Sequence, residues 1–180
     1  MVTDEIVLAG GCFWCTQAVF DRVRGVRRTA CGYANGCVER PTYELVCTGT
    51  TGCAEAVHVV YDPAEIDLAA LLGIFFATHD PTTPDRQGAD VGTQYRSGIY
   101  WTRPAQGEVA VRVMADLAAQ RVFDAPIVTE LQPLRRFTPA EPEHQGYFDR
   151  HPWAGYCQAV IAPKLAKLRA GYTRWLRDGA

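Results

Sequence analysis

The chain has 180 residues, 48% of them hydrophobic and 21% charged, with a formal net charge of −2. That is enough for one domain with a real core, and the small charge gives no electrostatic case for nucleic acid or an anionic membrane surface as partner. No apolar run is long enough to cross a bilayer, and Asp4 and Glu5 stand where a secretory leader would be basic, so a cytoplasmic location is expected.

Residues 5–9 read as a buried strand. Gly10-Gly11 then turns the chain, and a helical pattern runs from Cys12 to about residue 23, with Val19, Phe20 and Val23 at helical spacing. Gly25 ends it. Residues 26–34 form a second strand, Asn35-Gly36 a turn, and 36–53 a loop rich in Thr, Gly and Cys. Residues 54–61 alternate: Glu55, Val57, Val59 and Tyr61 face one way, Ala56, His58 and Val60 the other. Asp67 caps a helix whose Leu68, Leu71, Leu72, Phe75 and Phe76 form one stripe. Residues 79–96 make a polar loop of a length that usually marks function or disorder. A strand at 97–102 follows. Pro104 opens a helix to about residue 121, with Val109, Val113 and Leu117 inward. Further on come a strand at 127–131, a short helix within 141–149 and a basic amphipathic helix over 163–177. Interleaved elements with unequal connections predict α+β architecture: a single domain over 1–180, a mixed β-sheet flanked by helices, and Cys12 at the N-terminus of the first helix.

The seven cysteines, at 12, 15, 31, 37, 47, 53 and 157, are odd in number, which argues against a disulfide framework. Only Cys12 and Cys15 form C-x-x-C, and structural zinc wants a second close pair, so no metal is expected. Cys12 sits at a strand-to-helix turn, where free N–H groups lower a thiol pKa. Phe13 and Trp14 follow it, about 100° apart around the helix, too far to serve one packing surface. A nucleophilic sulfur beside aromatic rings suggests redox or transfer chemistry on a partly apolar substrate. Glu55 is the polar member of an apolar face. Buried, it becomes a general acid near neutrality; at a strand end it can instead reach solvent. Tyr43 and Tyr95, in loops, can donate to a substrate oxygen or simply pack. Asp90 can orient a partner or satisfy loop N–H groups.

Gly11-Cys12-Phe13-Trp14, Gly32-Tyr33, Pro41-Thr42-Tyr43, the stretch 52–57, Tyr61-Asp62-Pro63, His79-Asp80-Pro81-Thr82 and the stretch 87–97 follow one another along the chain. In that order they resemble the A-type peptide-methionine (S)-S-oxide reductases, over roughly residues 5–170. The resemblance implies thiol-dependent reduction of methionine (S)-sulfoxide, free or in proteins, without bound cofactor. It implies Cys12 as nucleophile, Phe13 and Trp14 as walls for the S-methyl group, and Glu55 as the acid that protonates the sulfoxide oxygen. Tyr43 and Tyr95 would hydrogen-bond that oxygen, and Asp90 would line the pocket through water. Cys12 would become a sulfenic acid, a second thiol would form a disulfide, and thioredoxin or another dithiol would reduce it. Cys157, in Gly155-Tyr156-Cys157-Gln158, is the expected resolving thiol, with Cys15 the alternative. Gln17 stands where the family has Glu, and Cys53 where it has His; Cys31 and Cys37 are not family residues either. The residues also leave open a general thiol–disulfide oxidoreductase using Cys12 and Cys15, and a redox or zinc sensor.

Overall fold

A computed structural model describes residues 1–180. The elements, in chain order, are β1 (Asp4–Gly10), α1 (Phe13–Phe20), β2 (Val26–Ala34), α2 (Tyr43–Cys47), β3 (Ala54–Tyr61), α3 (Leu68–Ala77), β4 (Arg86–Gln87), β5 (Asp90–Val91), β6 (Ser97–Trp101), α4 (Pro104–Ala119), β7 (Glu130–Pro133), β8 (Phe137–Pro139), α5 (Tyr147–Arg150) and α6 (Ala162–Gly171). One six-stranded sheet has the order β7-β6-β1-β3-β2-β8. Its β6–β7 pair is parallel and the rest antiparallel, which makes it mixed. The α+β expectation holds.

Alternation along β3 divides the interior in two. Val57, Val59 and Tyr61 join the large core with α1, α3, Ala110 of α4 and Leu165 and Leu168 of α6. Ala54 and Ala56 turn to the opposite face, where Val7, Ala9, Ala34 and Tyr100 are covered by Leu134 and Phe137. Helices therefore shield one face and an extended segment the other. Asp67 caps α3 as expected, its carboxylate accepting the Ala70 N–H at 2.7 Å.

The differences from the sequence reading lie in the connections. Residues 36–53 contain α2, capped by Thr42, and residues 79–96 contain β4, β5 and a 3₁₀ turn at Thr93–Tyr95. The strand expected at 127–131 begins instead at Glu130, and β8 is too short to show an alternating pattern. The last helix is preceded by a π turn, Cys157–Ile161, and ends at Gly171. Beyond it, Leu176 bridges to Val23, and the Arg177 N–H donates to the Arg22 carbonyl at 2.9 Å. The chain's end is thus fastened to the exit of α1.

Gly32 shows how tightly β8 closes on β2. A Cβ there would stand 2.3 Å from Phe137 Cζ and 2.5 Å from the Thr138 carbonyl oxygen. The ring can rotate away, but the backbone oxygen is held in the ladder. Gly32→Ala is expected to lower stability by about 1–3 kcal/mol, read as a lower urea midpoint; an unchanged midpoint would mean that β8 yields freely.

Candidate active site

Gly10 and Gly11 turn the chain from β1 into α1. Gly11 has φ +96°, and a Cβ on it would fall 2.5 Å from Gln87 Cγ, so both backbone angle and space require glycine. Gln87 in turn exchanges hydrogen bonds with the Asp80 backbone, donating to its carbonyl and accepting from its N–H. His79, next to Asp80, is half-buried, and desolvation lowers its pKa to about 4. It bridges the Phe75 carbonyl and the Ser97 hydroxyl at 2.6 and 2.7 Å. The long polar loop is therefore tied to the Cys12 turn.

Cys12 is the N-cap of α1 and accepts the Cys15 N–H on its carbonyl at 3.1 Å. The expected lowering of its thiol pKa does not occur. Burial, then a hydrogen bond and charge from Cys15, then Glu55 push it well up, against the Trp14 N–H. The lowered thiol is Cys15, brought to about 7 by its hydrogen bond with Cys12, with Lys164 and Tyr156 also favouring the thiolate. The two sulfurs titrate together, and desolvation favours keeping the proton on Cys12.

Glu55 fulfils the buried alternative. It is 1% exposed, and its Oε2 has no hydrogen-bond partner. Desolvation raises its pKa to about 8; the Phe13 N–H opposes this, while the charges bearing on it, Asp90 and Cys15, add to it. Cys53, where a histidine was expected, packs as a buried thiol donating to the Asn35 carbonyl at 3.4 Å.

Tyr43 opens α2 and Tyr95 ends the 3₁₀ turn; both are half-buried, with phenol pKa values raised by burial and then by Glu55. Arg96 holds the Tyr95 turn in place, donating to the Thr93 and Gly52 carbonyls and to Glu130. Phe13 is fully buried against Tyr33, Tyr43 and His144, whereas Trp14 is partly open. The Trp14 indole stacks on Tyr147 with centroids 3.8 Å apart.

Asp90 has a direct protein partner: it accepts the Tyr156 O–H at 2.8 Å, and the same phenol oxygen is 3.6 Å from Cys15 Sγ. Tyr156, His144 and Tyr147 escaped the sequence reading as site residues. Tyr156 had one signal, its place beside Cys157. Cys157 is fully buried, its thiol pKa raised by burial and then by Cys15. The Glu55 charge reaches Cys12, Tyr43 and Tyr95, that of Asp90 reaches Glu55 and Tyr95, and that of Cys15 reaches Cys157. Cys31 is a buried donor to Gln17 Oε1 at 3.1 Å, while Cys37 and Cys47 are exposed. Gln17 Oε1 also accepts the Gly146 N–H, and its amide donates to Thr29 and Gln145. A carboxylate could not make those last two bonds, so the glutamine suits its surroundings.

The family model described as "Peptide methionine sulfoxide reductase" matches residues 4–175. A Thermus thermophilus protein named peptide methionine sulfoxide reductase MsrA is 54% identical over 177 residues, 98% of this chain and 99% of that one. One of the same name from Chromobacterium violaceum is 49% identical over 175 residues, 97% and 99% of the two chains. Among solved structures, reduced Mxr1 from Saccharomyces cerevisiae superposes with TM-score 0.78 at 35% identity, covering 86% of this chain and 89% of that one. Mxr1 in complex with Trx2 matches with TM-score 0.55 at 27% identity, covering 81% and 84%. No helix of this chain is long and apolar enough to cross a membrane.

Glu55 gives a test of the site's electrostatics. Its folded pKa, about 8, lies above the unfolded value near 4.5. The folded state therefore binds the extra proton between these pH values, and Glu55 destabilises it increasingly as pH rises from 4.5 to 8. Glu55→Gln is expected to melt at higher temperature than wild type at pH 8 and at the same temperature near pH 4. A difference independent of pH would place Glu55 in contact with solvent.

Proposed function

The chain belongs to the peptide methionine sulfoxide reductase family, an oxidoreductase family, and from that premise we propose that it reduces the S-epimer of methionine sulfoxide, free or in proteins, through Cys12. The observation that carries the proposal is the pairing of a protonated, desolvated Glu55 with the Cys12–Cys15 couple. A sulfoxide sulfur is a poor electrophile until its oxygen gains a proton. Glu55 delivers one, with the Tyr43 and Tyr95 phenols hydrogen-bonding the same oxygen. Phe13 and Trp14 hold the S-methyl group, and Asp90 lines the pocket. Cys15 thiolate takes the Cys12 proton as Cys12 sulfur attacks. The Cys12 sulfur bonds the substrate sulfur; the protonated oxygen then passes to Cys12 as that S–S bond and the S–O bond break, so methionine leaves two electrons richer and Cys12 is left as a sulfenic acid.

A second thiol then displaces water from that sulfenic acid and forms a disulfide. Cys15 is the nearer candidate for this role: it lies one turn into α1 from Cys12, its N–H bonds the Cys12 carbonyl at 3.1 Å, and the two thiols titrate together; Cys157 feels the Cys15 charge. An external dithiol restores the thiols by exchange, and the crystallised complex of Mxr1 with Trx2 supports a thioredoxin as that reductant. The cycle draws only on thiols, carboxyl and phenols, with no bound cofactor or metal.

Thioredoxin-coupled assays of the separate epimers test this. Wild type should turn over only the S-epimer, and Cys12→Ser should do nothing. Glu55→Gln should lose about 10²- to 10⁴-fold in rate. Cys15→Ser should reduce one equivalent and then stall, while Cys157→Ser continues; the reverse pattern would assign resolution to Cys157. Turnover of neither epimer by wild type would refute the proposal.

A further inference from the structure

We infer that His144 is a positioning residue of the substrate pocket: its Nδ1 holds the Trp14 indole in the orientation that receives the sulfoxide's methyl group. This rests on the function proposed above. His144 ends a 3₁₀ turn, Pro142–His144, and is 6% exposed. Its Nδ1 accepts the Trp14 Nε1–H at 3.2 Å, so the ring proton is on Nε2. Its ring lies 4.3 Å from Tyr43, 5.4 Å from Phe13 and 5.8 Å from Trp14, centroid to centroid. One imidazole therefore touches three of the residues assigned to substrate recognition.

The turn that carries it is fastened on both sides. Before it, Glu141 accepts the Tyr33 O–H at 2.8 Å and the Tyr43 N–H at 3.1 Å. After it, the Gln145 side-chain amide exchanges hydrogen bonds with the Cys31 backbone at 2.8 and 2.9 Å. The imidazole thus stands on β2, outside α1, and passes the position of the sheet to the indole. Trp14 needs such a hold because it is the partly open residue of the Phe13-Trp14 pair, and an indole free to turn would lose the pocket wall. Glu141, Glu143 and His144 can bring ligand atoms within 4.8 Å of one another. The Glu141 oxygens and His144 Nδ1 are already engaged, which favours the structural hold over a metal.

Two substitutions separate the hydrogen bond from packing. His144→Phe keeps a ring and removes the acceptor; His144→Asn restores an acceptor near Nδ1. With the S-epimer, His144→Phe is expected to raise KM about 3- to 10-fold, the worth of one neutral hydrogen bond, with kcat nearly unchanged. His144→Asn should recover most of that loss. In a Trp14→Phe background, His144→Phe should add nothing. An unchanged KM in His144→Phe, an equal loss in His144→Asn, or the same loss without Trp14 would each overturn the inference. If wild type reduces neither epimer, the function fails but the contact is still read by fluorescence. The Trp14 emission, taken as wild type minus Trp14→Phe, should shift to the blue in His144→Phe; no shift would overturn the inference as well.

Discussion

A carboxyl group held out of water on a central strand is the constraint on which this molecule depends. Glu55 shares the inner face of β3 with Val57, Val59 and Tyr61, beneath the turn that carries Cys12. Burying an ionisable group costs free energy, and here the cost is limited by keeping the group protonated. That protonated state is the one the proposed acid role requires near neutral pH. In that proposal site and core are not separable: the apolar surroundings that destabilise a carboxylate on β3 are what would make the carboxyl an acid.

The same logic extends to the thiols. Cys12 is enclosed enough that its anion is unfavourable, yet it is hydrogen-bonded to a sulfur whose anion is favourable. Negative charge therefore collects on the thiol one helical turn into α1, favoured by Tyr156 and Lys164, and that same charge helps to keep the proton on Glu55. Asp90, bonded to Tyr156, and Arg96, bonded across to Gly52 and Glu130, bind the loops of the site to the sheet. Loop residues are thereby held by fixed hydrogen bonds to the rest of the fold.

Much of this was legible in the residues. The alternation in β3 put Glu55 on the core face, and the apolar stripe with its Asp67 cap placed α3. The resemblance carried by the order of the motifs implies one site for Cys12, Tyr43, Asp90 and Tyr95. What escaped was set by tertiary contact rather than local pattern. The Cys12 thiol pKa followed burial and Cys15, which a helix-end argument does not contain. β8 is three residues long and owes its existence to Gly32, so no period announces it. Tyr156 meets Asp90 across 66 residues of chain, and His144 meets Trp14 across 130. Such separations leave no trace in spacing.

The stretch from Tyr156 to Leu176 is anchored at each end, by Asp90 on one side and Val23 on the other. In polymer terms it is a closed loop, not a dangling tail, so Cys157 has no large volume to explore and its effective concentration near Cys15 stays high. The slack it possesses is internal. A π turn contains an extra residue relative to the α-helix that follows. That extra residue lies between Cys157 and α6, inside the closed loop.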